Sequence, residues 1–501
     1  MRRAWVRETA GWAAALGISL AVAAQVAASA RSELLFRDGD SLVVAMFVRS
    51  VLSGQPLDWA MSSVLFVPES VVLGGIDALT GADLGTLLAV NAVVNLLAVY
   101  GALRMAAGRR SDGAAPAGWA LVGLAVFGLI SVTETSASRD ALELASLQLT
   151  TTYYSATVVG VIVAIGLVRR ALDRTDLRIG YGPVLGLIAV AAISTLSNPL
   201  FGVWATVPLG LLLAVTSFRA ERRTQTLVLL SALVGGTALG AVARIPFAAW
   251  IANTGAGYAQ PDRWAASLQY YGELLTDRLS TPLGILGTSI TVALLALATV
   301  RTVRAATRGA RFVAASAWVL PLLVVFGAIA LGTHAARYLQ PVVFAPVLAL
   351  VAAPRALRLP RAVLRTATAV VAVVLLVGGA LGIPRLAAAA HRPDADLTCV
   401  TEWVDSSGRT GAGQFWTVRL PKAHLADPSQ LVQVDHQLNG YAWLVNRTDL
   451  DVGSVSFLLE DAQTVPWQLP VSAVPDEVIE CGRYRILDFG AQRLPLGPAH
   501  S

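Results

Sequence analysis

Long uncharged apolar runs alternate with short arginine-rich connections through the first three-quarters of the chain. A membrane-spanning helix needs ~20 predominantly apolar residues. The stretch 9–30 carries no charge over that length. Comparable runs begin near residues 83, 117, 153, 181, 201, 226, 284, 313, 338 and 366, so the pattern predicts about eleven spans, with the two termini on opposite sides. A cleaved signal peptide is the alternative for the first run. Its length, and the acidic motif that follows without a convincing small-residue cleavage site, favour an uncleaved helix.

Arginines occupy every second connection: Arg2, Arg3 and Arg7; Arg104, Arg109 and Arg110; Arg169, Arg170, Arg174 and Arg178; Arg219, Arg222 and Arg223. The series continues with Arg301, Arg304, Arg308 and Arg311, then Arg355, Arg358, Arg361 and Arg365. Basic loops stay on the cytoplasmic side, which predicts a multi-pass protein of the cell membrane with a cytoplasmic amino terminus and an outer carboxyl terminus. Three of the intervening outer loops are enlarged: 31–82, 134–152 and 245–283. In the first, the segment from Asp40 to Arg49 is apolar with charge at both ends, as in a short interfacial helix. The run from Ser63 to Glu69, with its proline and glutamate, reads as a re-entrant or interfacial turn and not as another complete span. Trp250, Tyr258, Trp264, Tyr270 and Tyr271 in the third loop read as an aromatic belt or as the wall of a lipid or sugar site.

Past residue 390 the long apolar runs vanish and short β-prone segments replace them, such as 414–418 and 454–458. The chain therefore divides into a transmembrane domain, 1–390, and a small, mostly β, outer domain, 391–501. Both cysteines, Cys399 and Cys481, lie in the latter, and in an oxidising compartment such a pair predicts a disulfide that stabilises the domain by ~4 kcal/mol. Trp403, Trp416, Tyr441, Trp443, Trp467 and Tyr484 are expected mainly in its core. Asn446, in Asn446-Arg447-Thr448, has the form of a glycosylation acceptor.

Composition agrees: 55% of residues are hydrophobic and 14% charged. The net charge of +6 is spread over short loops and does not form the patch a nucleic acid would need. The chain has no phosphate-binding Gly-rich loop followed by Lys, no His-Glu-x-x-His and no Gly-x-Ser-x-Gly, which argues against a nucleotide-driven pump. The chemistry must come from ionisable groups near the outer ends of spans: Asp38, Asp40, Glu69, Glu134, Arg139, Asp140, Glu143, His334 and Arg337.

Two of these places carry a resemblance. Asp38-Gly39-Asp40, followed by an amphipathic segment, resembles the first outer loop of the GT-C superfamily of polyprenyl-phosphate-sugar-dependent membrane glycosyltransferases. The segment Thr333-His334-Ala335-Ala336-Arg337-Tyr338-Leu339-Gln340-Pro341 is similar to the Arg-Tyr/His-x-x-Pro element at the outer start of a late helix in many of them. The resemblance implies an inverting transfer of sugar from a polyprenyl-phosphate donor to a glycan, lipid or protein acceptor of the envelope. Asp38 or Asp40 would serve as general base, Arg337 with His334 and Tyr338 would hold the donor phosphate, and Glu69, Glu134 and Asp140 are candidate cavity acids. Because the family includes metal-dependent and metal-independent members, a divalent cation, Mg or Mn, on Asp38 and Asp40 stays open. A transporter or flippase for a lipid or small solute is the competing reading.

Overall fold

A computed structural model describes residues 2–109, 113–174, 180–218, 223–356, 360–469 and 472–501. Arg110, Arg178, Arg219, Arg222 and Arg358 of the topology argument lie outside the described residues. Among the described residues seven helices are long and apolar enough to cross a membrane: Trp5–Ala27, Leu84–Ala106, Ser155–Leu172, Arg223–Val242, Pro282–Val303, Arg308–Ala330 and Thr368–Ala390. The other four expected spans fall on shorter apolar helices, Pro116–Val132, Tyr181–Ser197, Gly202–Ser217 and Ala336–Ala352. At 1.5 Å per residue, 17 residues reach about 25 Å, short of a ~30 Å hydrocarbon core. The last two are also irregular: a π turn occupies Gly202–Thr206, and the last opens as a 3₁₀ turn at Ala336–Leu339 before Pro341.

The chain folds as two compact units. The first comprises residues 1–34, 89–245 and 256–389; the second, 35–88, 246–255 and 390–501. Small residues bring the helices of the first unit together. The Tyr181–Ser197 and Arg223–Val242 helices pack at Gly236, where a Cβ would meet the Ile188 carbonyl oxygen at 2.7 Å.

In the second unit, residues 35–88 form two packed helices, Val43–Leu52 and Val67–Thr80. The first agrees with the amphipathic segment expected there. The second replaces the expected turn: Pro68 lies in its first turn, where proline costs no hydrogen bond, and Phe66 enters it in the left-handed conformation with φ 50°. Trp59–Ala60 pairs antiparallel with Val445–Asn446.

The carboxy-terminal part of this unit carries a mixed seven-stranded sheet of β1 (Gly411–Gln414), β2 (Leu431–Val434), β3 (Asn439–Tyr441), β4 (Phe457–Glu460), β5 (Glu477–Cys481), β6 (Tyr484–Asp488) and β7 (Gly497–His500). The order is β7-β3-β2-β1-β4-β6-β5, with β1 parallel to both neighbours. Side chains alternate between faces. Leu431, Phe457, Leu459 and Ile486 pack with Val400, Val404 and Val418 of two helices, Ala395–Ser407 and Phe415–His424, whereas Val432, Val434 and Leu458 join Phe489 and Leu494 in a second core. The predicted strand at 414–418 is therefore a helix start: β1 ends at Gln414, and Phe415 to Val418 serve the helix because Val418 packs onto the sheet instead of extending it. Helices thus cover part of a domain expected to be mostly β. Cys399 and Cys481 are joined, tying the first helix to β5. Trp403, Trp467 and Tyr484 pack against the two cores, as expected. Asn446 is 2% exposed and donates to the Pro56 carbonyl, so burial removes it as a glycosylation acceptor in the folded chain.

Candidate functional site

Three groups of charged residues stand out, one in the second unit and two in the first. In the second unit, Asp38-Gly39-Asp40 forms the turn ahead of the Val43–Leu52 helix. Asp38 Oδ2 accepts from the backbone N–H of Asp40 at 3.1 Å and of Ser41 at 3.3 Å, so this carboxylate shapes the turn. Asp40 is half-buried and interacts electrostatically with Arg419. Gly39 makes that approach feasible, because a Cβ there would lie 3.1 Å from Arg419 Cγ and 3.3 Å from Trp416 Cε3.

Arg419 is fully buried on the Phe415–His424 helix. Its Nη1 donates to the Leu444 carbonyl at 2.6 Å and lies 3.4 Å from Gln433 Oε1. Leu444 aims that carbonyl from a left-handed conformation, φ 54°, which is costly for a branched side chain. Nε and Nη2 of Arg419 have no hydrogen-bond partner among the described residues. Burial pushes the guanidinium down to about 10, with the charges of Asp40 and Asp449 opposing it, so Arg419 remains a cation at neutral pH. The lone lysine, Lys422, is likewise buried, 2.9 Å from Asp449 and donating to the carbonyls of Pro428 and Leu431.

In the first unit, Arg337 and Tyr338 sit on the 3₁₀ turn. Arg337 Nε donates to the Tyr154 hydroxyl at 3.2 Å, Tyr154 stacks on Tyr338 with centroids 6.5 Å apart, and Trp204 packs edge-on against Tyr154 while its Nε1 donates to the Tyr338 carbonyl. Tyr154 holds φ 66°, an outlier for an aromatic residue. Gln340, buried, ties the turn to the Tyr153 carbonyl. Just upstream, Thr333 is fixed by Tyr271 and Ser267, and the exposed His334 ring lies 5.4 Å from that of Tyr270. Burial pushes the Tyr270 hydroxyl up, the Asp140 carboxylate adds to this, and Arg337 opposes it. The structure thus brings Asp140, His334, Arg337 and Tyr338 to one aromatic cluster.

Glu134 belongs elsewhere in the first unit. Its two oxygens accept from the N–H groups of Ala145, 2.8 Å, and Ser146, 2.7 Å, and Arg31 lies 3.9 Å away. Arg31 also binds the Ser146 hydroxyl, the carbonyls of Ser136 and Ser138, and that of Glu143. Glu143 accepts from Arg278 Nη1 at 2.7 Å and from the Ser136 N–H at 2.7 Å, and Arg278 donates to both oxygens of Thr133. All four charged residues are buried. Burial pushes the Glu134 carboxyl up, against the pull of Arg31 and the N–H groups. Glu69 is buried in the first turn of the Val67–Thr80 helix.

Among the described residues no three His, Cys, Asp or Glu side chains converge as a metal would require. With Asp38 turned onto backbone N–H groups and Asp40 beside a cation, this pair does not fit a divalent-cation site by itself, and no step below runs through one.

Sequence reasoning missed Arg419, Tyr154 and Trp204, and read Trp416 only as an aromatic of the domain core. Arg419 left one trace, a charge between the apolar Val418 and Leu420; its distance along the chain from Asp40 gave none. Arg31 was legible as an arginine in a loop expected on the outer side, against the charge pattern. No protein-family model matches this chain, and no curated protein matches it.

Proposed function

We propose that this protein is a membrane glycosyltransferase that moves a sugar from a polyprenyl-phosphate donor to an acceptor of the cell envelope. In this reading the chain crosses the cell membrane about eleven times, with its amino terminus in the cytoplasm and the 391–501 domain outside. The observation that carries it is the acidic turn beside a buried, incompletely hydrogen-bonded arginine. The Arg419 charge acts on Asp40, while Asp38 accepts from the backbone N–H groups of the turn. Asp40 is therefore the base: it takes the proton of the acceptor hydroxyl as that oxygen attacks the anomeric carbon. The bond from that carbon to the phosphate oxygen breaks, with inversion, and the phosphate leaves with the electron pair. Arg337, held by Tyr154 and its own turn, is the cation for the departing phosphate.

The test is sugar transfer from a panel of radiolabelled polyprenyl-phosphate sugars by the purified chain in lipid, with wild type, Asp40→Asn, Asp38→Asn and Arg337→Ala. We expect Asp40→Asn to lose about 10²–10⁴-fold in rate at unchanged donor binding. Asp38→Asn should lose less. Absence of turnover with every donor and crude envelope acceptor, together with movement of carrier or solute across vesicles, would replace the enzyme with a transporter.

A further inference from the structure

Within the first unit, at the arginine-rich ends of several helices, lies a cavity of about 530 Å³ that the proposed reaction does not use. Its wall includes Arg169, Arg301, Arg304 and Arg355 together with Trp119 and Leu297, and among the described residues no carboxylate lines it. Arg169 is neutralised by Asp173 at 3.2 Å. Among the described residues no carboxylate lies within ion-pair distance of Arg301, Arg304 or Arg355.

The positive-inside pattern explains why arginines occur in these connections. It does not explain their convergence. A topology determinant does its work with its head group in bulk water. Arg301 instead folds inward, with its Nη1 on the carbonyls of Ala349 and Leu350 and its guanidinium 5.4 Å from the Trp119 ring. The wall is preformed. Ala114 and Arg355 form an antiparallel bridge, the Ala115 N–H donates to the Pro354 carbonyl, the Ala356 N–H donates to the Gly113 carbonyl, and Trp119 Nε1 donates to the Arg355 carbonyl. Two connections far apart in sequence are thereby fastened around the same space. Three guanidinium groups that meet no carboxylate among the described residues, on an apolar floor, match a phosphate that carries or borders hydrocarbon.

We propose that this cavity binds a phosphate group, supplied either by the headgroup of an anionic lipid or by a soluble phosphate. It is a second phosphate site, independent of the one assigned to Arg337. The test uses the full chain, delipidated in an uncharged detergent, with thermal unfolding and binding isotherms recorded against micelles containing phosphatidylglycerol, micelles containing phosphatidylcholine, and inorganic phosphate. Saturable binding of phosphatidylglycerol or of inorganic phosphate is expected, weakened at least about tenfold in Arg301→Gln/Arg355→Gln. Binding of phosphatidylglycerol alone identifies a lipid source, and comparable binding of inorganic phosphate identifies a soluble one. Should the double variant fail to fold, the exposed Arg304→Gln, which leaves Arg301 on its carbonyls, is expected to weaken the same binding several-fold. Equal binding of phosphatidylcholine, undiminished binding in the variants, or no binding of either phosphate overturns the proposal.

Discussion

Arginine meets carboxylate in two very different ways in this molecule. In the Arg31, Glu134, Glu143 and Arg278 group of the first unit, the acid oxygens and the guanidinium groups end on N–H groups, carbonyls, hydroxyls or one another. At Asp40 and Arg419 of the second unit, two fully buried guanidinium nitrogens, Nε and Nη2, are left without a hydrogen bond among the described residues. Buried charge is expensive, and a closed network repays most of that cost in fixed geometry. The first group is therefore a brace that fixes residues 133–146. The second leaves Arg419 Nε and Nη2 without a hydrogen bond among the described residues, beside the acidic turn where the proposed reaction has its base.

The sharpest way to break this contrast is Arg278→Met, which takes from the buried Glu143 carboxylate its closer arginine, at 2.7 Å, and leaves it Arg31 at 3.8 Å. A loss of about 3–5 kcal/mol is expected, read as a lowered thermal unfolding midpoint in lipid nanodiscs. If stability is unchanged, the group is not a brace. Arg419→Met should separate the two kinds of site: it removes one satisfied donor, Nη1 on the Leu444 carbonyl, and two nitrogens that lack a partner among the described residues, so stability should change by less than about 2 kcal/mol while transfer falls at least tenfold. The acid limb of the pH profile of kcat/KM should then move to higher pH, because a carboxylate that loses a neighbouring cation ionises less readily, and Arg419→Lys should restore part of the rate. A variant with lowered stability and an unmoved pH profile would make Arg419 merely structural. Next comes Gly39→Ala, whose Cβ must displace Arg419 or Trp416; a cost of ~1–3 kcal/mol and a drop in kcat exceeding any change in KM are expected.

The smallest effect concerns Asp394. Burial disfavours its charge, yet hydrogen bonds from Arg483 and the Leu397 N–H and the charge of Arg37 outweigh this and hold the carboxyl below the usual range. A lowered folded-state value contributes stability above the unfolded carboxyl's pKa, about 4, and that contribution disappears as pH falls through the folded value. Asp394→Asn should therefore cost ~1 kcal/mol or less at pH 7, and the gap to wild type should narrow below about pH 4. A gap independent of pH would mean that packing, not charge, sets it.

The sequence made these regions unequally legible. Spanning helices announce themselves because apolar length is written locally, as in Arg308–Ala330, which keeps Pro321 inside it. Ala336–Ala352 was visible as apolar but not as broken, since Pro341 only marks where a regular helix begins. The helix at 415–424 was hidden because Phe415, Trp416, Thr417 and Val418 favour strands, and the neighbouring sheet overrode that preference. Asp38 and Asp40 could be read as a pair, but not told apart, because Asp38's duty to backbone N–H groups is a matter of turn geometry. Arg419 was out of reach for a plainer reason: what gives it meaning is a glycine nearly four hundred residues upstream.

That separation also sets a timetable for biosynthesis. Asn446 reaches the Pro56 carbonyl across 390 residues of chain, and the pairing of Trp59–Ala60 with Val445–Asn446 spans a similar length. At ~5–20 residues per second, roughly 20–80 s of synthesis separate the two partners. During that interval residues 35–88 must wait with an unpaired strand and two apolar helices while the intervening membrane helices are made. The second unit is thus begun 390 residues before its partners are made, so a ribosome that stops between them leaves residues 35–88 without the strand they pair with.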